Sequence, residues 1–154
     1  MRPARFHEFA ATALPSAPEV VDAERWEGCR FGLAITFTSG SRVWIGITGS
    51  LAPGTRHDDE ELPVEGEAPD PVTWPTLYDD QRATTPQLAA AYLAAALTNS
   101  GHPEIREARA YAANARHPGF QVGFHSGAAA FCLITHTARS GQSLGGEYRL
   151  QSRF

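Results

Sequence analysis

Apolar and polar residues alternate in two places along the chain, and each place reads as a β-hairpin. In the first, Leu33, Ile35 and Phe37 lead into a turn, and Val43, Ile45 and Ile47 leave it. In the second the set is Phe120, Val122 and Phe124, then Ala130, Cys132 and Ile134. Period-two patterning with β-branched and aromatic residues is the signature of a strand with one buried face. The Ser-Gly at each apex fits a three-residue loop with Gly40 or Gly127 in the left-handed conformation. Closing such a loop with a Phe37–Ser41 pair places Leu33, Ile35, Phe37, Val43 and Ile45 on one face, in agreement with the alternation.

Helical patterns precede both hairpins. Thr84 or Thr85 caps the second, Pro86 suits its first turn, QLAAAYLAAALTNS is rich in helix formers, and Gly101 ends it. The first, about Pro3 to Ala13, is shorter and weaker. The segments after Pro18 (VVDAERW) and Pro103 (EIREARAY) are ambiguous. Helix propensity is high in the second, whereas β-branched residues lead the first. Strand is chosen for both, with helix as the alternative.

The two hairpins also match each other. Ile35–Gly54 aligns without gaps on Val122–Gly141 at an offset of 87, with Phe37/Phe124, Ser39/Ser126, Gly40/Gly127, Thr48/Thr135 and Gly54/Gly141 identical. Upstream, Pro18–Trp26 faces Pro103–Tyr111 at an offset of 85, and AATAL at Ala10 faces AAAL at Ala94. Three matches in one order predict an internal duplication. The expected fold is α+β: two tandem α-β-β-β repeats forming an antiparallel sheet with the helices on one face. The expected organisation is one domain over 1–154, with repeat 1 about 3–54, an acidic Pro-rich connection 52–72, repeat 2 about 84–141 and a C-terminal tail 142–154.

Composition narrows the class. At 154 residues, 42% hydrophobic and 19% charged, the chain is long and apolar enough for a globular core. No apolar run approaches the ~18 residues of a membrane span. The N-terminal arginines resemble a signal peptide's, but His7 and Glu8 interrupt the apolar region, so a cytoplasmic location is expected. Cys29 and Cys132 are too few for a disulfide framework or a metal cluster and read as small buried residues. All 13 basic residues are arginine, which together with the many alanines suggests a GC-rich bacterial genome. Seven of the 17 acids lie between Ala52 and Pro71, leaving 12 arginines against 10 acids elsewhere. That balance disfavours nucleic acid as a partner. The acidic connection is expected to be mobile, with Trp74 and Tyr78 pinning the chain beyond it.

Searching for chemistry yields little. The chain holds no GxSxG, phosphate loop, GxGxxG, CxxC or HExxH. His57-Asp58-Asp59-Glu60-Glu61 is the densest run of possible ligands, but neighbours in a loop do not converge on one ion, so a solvated acidic loop is expected. His125, at one hairpin apex, and His136, near the end of the next strand, are too far apart along a regular ladder to share a proton. Ser126 and its counterpart Ser39 read as turn residues. Catalytic residues, metal ligands and cofactors are therefore not predicted.

One feature departs from an ordinary solvated sheet. The face opposite the expected core carries Thr36, Arg42, Trp44 and Gly46 in one half and Gln121, Gly123, Phe131 and Leu133 in the other. Trp44, Phe131 and Leu133 need cover. It would come from the connection or the tail (Tyr148, Leu150, Phe154), from self-association, or from a partner or ligand approaching at Gly46 and Gly123. The residues proposed for contact are Arg42, Trp44, Gln121, Phe131 and Leu133. The reading chosen is a non-enzymatic interaction protein (an adaptor or accessory factor of a bacterium, mobile element or phage) that binds a protein partner or a second copy, with Trp44 and Phe131 accessible. Its rival is a small-molecule or metal-binding module, possible as an enzyme, on a cupped duplicated sheet. Paired βαβββ modules of the glyoxalase/dioxygenase type share that layout in topology alone, since neither a strand before each helix nor their His and Glu ligand pattern is evident. The α-β-β-β order also resembles double-stranded-RNA-binding domains, but acids follow the third strand of the first half, where phosphate contacts call for bases.

Overall fold

The computed structural model describes residues 1–144 and 150–154. Helix α1 (Pro3–Ala13) and a single 3-10 turn (Leu14–Ser16) precede strands β1 (Val20–Trp26), β2 (Gly32–Phe37) and β3 (Arg42–Ser50). Helix α2 (Pro86–Asn99) precedes β4 (Ile105–Ala110), β5 (Gly119–Phe124) and β6 (Ala129–Ala138). The strands form one six-stranded antiparallel sheet in the order β1-β2-β3-β6-β5-β4. The protein is thus an α+β fold, with β3 and β6 meeting at the centre of the sheet.

Local chemistry accounts for the elements that the sequence marks clearly. The Thr85 hydroxyl accepts from the Leu88 N–H, Pro86 opens the first turn of α2, and Gly101 follows the last with a φ of +64°. Helix α2 is buried along nearly its whole circumference, as an Ala/Leu-rich helix requires. In α1, Phe6, His7 and Ala10 are buried, and His7 is anchored through Nε2 to the Gly32 carbonyl at 2.9 Å. Both hairpin turns close as their sequences imply. The Phe37 N–H donates to Ser41 O at 2.9 Å and the Phe124 N–H to Ala128 O at 3.0 Å, with Gly40 and Gly127 at φ of +81° and +85°. Ser39 and Ser126 accept from backbone N–H groups two residues on, which is turn chemistry.

Tertiary pairing decides the ambiguous segments. Residues 105–110 form an edge strand despite their helix propensity, because Ile105 pairs with Phe124 and enters the core fully buried. The core gathers Phe6 and Leu14, the inward sides of β2, β3, β5 and β6, and Leu93 and Leu97 of α2.

The connection after β3 meets the rest of the fold at intervals. The Arg2 guanidinium donates to the carbonyls of Arg56, His57 and Asp59. Gly66 N–H donates to Pro103 O at 2.9 Å, and Asn99 bonds both backbone groups of Val72 at 2.7 and 3.0 Å. Glu61 leaves the solvated acidic run: it and the buried Glu104 receive the Arg5 guanidinium at 2.9 and 2.5 Å. The Met1 ammonium lies 3.8 Å from Glu104, and burial lowers its pKa. Trp74 stacks on Tyr92 with ring centroids 5.2 Å apart, and the Tyr78 hydroxyl lies 3.1 Å from that of Thr38. The tail's described end turns to the core: Phe154 is buried there and pairs with Thr84, while Tyr148 lies outside the described residues.

Candidate functional site

Strand alternation carries all the singled-out residues to the sheet face opposite the main core. The register sets Thr36 beside Arg42 and Ala34 beside Trp44 across β2 and β3. It sets Gly46 beside Leu133 and Thr48 beside Phe131 across β3 and β6, and Gln121 beside Phe131 across β5 and β6. Gln121, Phe131 and Leu133 therefore form one neighbourhood. Arg42 and Trp44 form another, towards the opposite end of the β3–β6 ladder.

The second neighbourhood is closed, which corrects the expectation that Trp44 is accessible. Trp44 is 3% exposed and packs with Ala34, Ala138 and the half-buried Trp26. Among the described residues, the end of β1 and the far end of β6 supply this cover. A register shift lets Trp44 face His136 while Ile45 faces Ile134, leaving Thr135 as an extra residue. This bulge re-aims the strand, so that His136 stands on the outer face between the two indoles. Its ring lies 5.3 Å from that of Trp26 and 6.4 Å from that of Trp44, both edge-on, and burial lowers its pKa. The Arg42 guanidinium lies 5.4 Å from the Trp44 ring, donates to the Thr36 hydroxyl at 3.1 Å and reaches Glu24 at 3.3 Å. Sequence reasoning missed Trp26 and His136 as cover, because a bulge reverses the alternation beyond it and leaves no mark in composition.

The room anticipated beside the glycines is also taken. A Cβ on Gly46 would stand 3.4 Å from Cys29 Sγ, so the turn after β1 folds over that position. A Cβ on Gly123 would stand 3.2 Å from both the Arg106 guanidinium and the Glu107 side chain.

The first neighbourhood stays open. Leu133 is 36% exposed although it lies on a central strand, and Phe131 and Gln121 are half-buried. Charges bound the face on both sides. Towards β1 stand Asp22 and Glu24, opposite Thr36 and Ala34, with Arg42 reaching Glu24. Towards β4 stand Arg106, Glu107 and Arg109, where Glu107 lies 3.1 and 3.4 Å from the two arginines.

The other candidates for chemistry stand apart. His125 hydrogen-bonds the Glu67 carbonyl through Nε2 at 2.9 Å, on the hairpin turn, whereas His136 is between the indoles. Burial pushes the Cys132 thiol well above its ordinary pKa, which holds it as an unreactive thiol. Among the described residues, no three His, Cys, Asp or Glu side chains come together as metal ligands would. No described helix is long and apolar enough to cross a membrane. A cavity of about 380 Å³ lies between α1 and α2, walled by Phe9, Trp74 and Asn99. Compared with family models, with curated proteins and with solved structures, the chain matches none significantly.

Proposed function

We propose that this chain is a non-enzymatic protein-interaction domain, an adaptor or accessory factor of bacterial, mobile-element or phage origin, that binds through the outer face of its sheet. The observation that carries this reading is the exposure of Leu133, with Phe131 and Gln121 beside it, in the middle of a six-stranded sheet. An apolar centre rimmed by mixed charges is the usual anatomy of a protein interface. Trp44 supports that surface from within, and Arg42 borders it. A cytoplasmic setting accords with two cysteines held as free thiols.

Placing a photo-crosslinking amino acid at position 133 and irradiating host cells tests the reading. A discrete cross-linked species, lost when Phe131→Ser is added, is expected. If position 133 yields no more product than an exposed site on α1, the reading fails.

The same proposal includes descent by duplication, with one domain made of two α-β-β-β halves and both helices on one face. Irregularities support this better than the regular elements do. The β1–β2 ladder shifts register between Val20 and Asp22, and the β4–β5 ladder between Ile105 and Glu107, the positions matched at an offset of 85. Thr38 N–H donates to Glu19 O as His125 N–H does to Glu104 O, each at 3.0 Å. Trp26 crowds Gly32 as Tyr111 crowds Gly119. Gly46 pairs with Leu133, its own counterpart at an offset of 87, so a local twofold axis would pass through the middle of the face.

A further inference from the structure

We infer that the occupant of this face is a second copy of the chain, docked face to face about a twofold axis parallel to the strands. The inference rests on the reading of the face as a docking surface and adds the partner and its orientation. It is carried by charge. At the β1 side of the face, Asp22 and Glu24 outnumber Arg42; at the β4 side, Arg106 and Arg109 outnumber Glu107. The acidic side and the basic side lie at opposite edges of the sheet, because β1 and β4 are its two edge strands.

A twofold axis along the strands brings the β1 side of one copy over the β4 side of the other. Acid then meets base at both rims, and Leu133 meets Leu133 near the axis on a central strand. A twofold axis across the strands would instead set β1 over β1 and β4 over β4, like on like, so charge selects the first arrangement. A strongly acidic or basic partner would meet attraction at one rim and repulsion at the other. A second copy meets attraction at both.

Sedimentation velocity across a concentration series tests this with wild type, the Asp22→Arg/Glu24→Arg variant, the Arg106→Glu/Arg109→Glu variant and all four changes combined. Circular dichroism checks that each folds. A wild-type dimer that loosens as salt rises is expected. Each double reversal should weaken it by about tenfold or more, since every rim contact occurs twice in the dimer, and the quadruple reversal should restore it. A wild type that stays monomeric, or a dimer indifferent to all the reversals, overturns the inference. The photo-crosslink at position 133 separates the two levels. A monomer that still cross-links to a different protein refutes self-association and leaves the docking surface standing, whereas a monomer with no cross-link removes both.

Discussion

Replacing Trp44 by alanine removes an indole that is 3% exposed and held among Trp26, Ala34 and Ala138, with His136 edge-on and Arg42 over the ring. Truncating a buried tryptophan costs about 3–5 kcal/mol, partly through the void left behind. Trp26 is only half-buried and lies at the end of β1, where it has freedom to collapse into that void. The loss should therefore fall at the lower end, about 3 kcal/mol. For a chain of this length, each kcal/mol moves the melting temperature by about 2–4 °C, so Trp44→Ala should melt roughly 6–12 °C below wild type. Leu133→Ala serves as the contrast. Its side chain is already 36% exposed, and the change should stay within about 1 kcal/mol. Thermal melts followed by far-UV circular dichroism, with urea titrations alongside, measure both. Equal small losses for the two variants would refute the division of this face into a sealed end and an open centre. The division also bears on binding experiments, since weaker association in Trp44→Ala would report lost folding as much as lost contact.

Three further outcomes follow from local geometry. Gly40→Ala and Gly127→Ala force a Cβ into left-handed backbone and should each cost about 1–2 kcal/mol by urea titration; a neutral result at either would contradict the turn conformation. Arg153, helped by the Ala83 and Gln81 N–H groups, holds the Asp79 carboxyl down to about 2. Because the folded value lies below the unfolded one, the stability this pairing contributes is complete above about pH 4–5 and is lost as pH falls through about 2. An NMR titration should show Asp79 ionising there and returning towards the ordinary carboxylate range in Arg153→Ala, and an ordinary value in wild type would discount the pairing. Maleimide labelling read by intact mass should modify the half-buried Cys29 in the native protein and the fully buried Cys132 only on unfolding. Equal rates at the two would show that the core opens at Cys132.

By itself the sequence determined the pieces whose information is local. The cap and proline of α2, the alternation of β2 with β3 and of β5 with β6, and the left-handed glycines at both turns each act within a few residues. It also marked Leu133, Phe131 and Gln121 as lying on the face away from the core, because period two fixes the side once a hairpin is registered.

What tertiary structure alone decided depends on partners far along the chain. Helix propensity in 105–110 yields to pairing with β5 and the burial of Ile105. The meeting of β3 with β6 at the sheet's centre, and the bulge at Thr135 that turns His136 towards Trp44, arise between strands some 90 residues apart. Glu61 reads as one more acid in a solvated run until the fold brings Arg5, 56 residues away, against it. Local preferences are worth tenths of a kcal/mol to about 1 kcal/mol per residue, whereas fully burying a large apolar side chain is worth about 1.5–3 kcal/mol and leaving a buried charge unpaired costs several, so long-range contacts settle these positions.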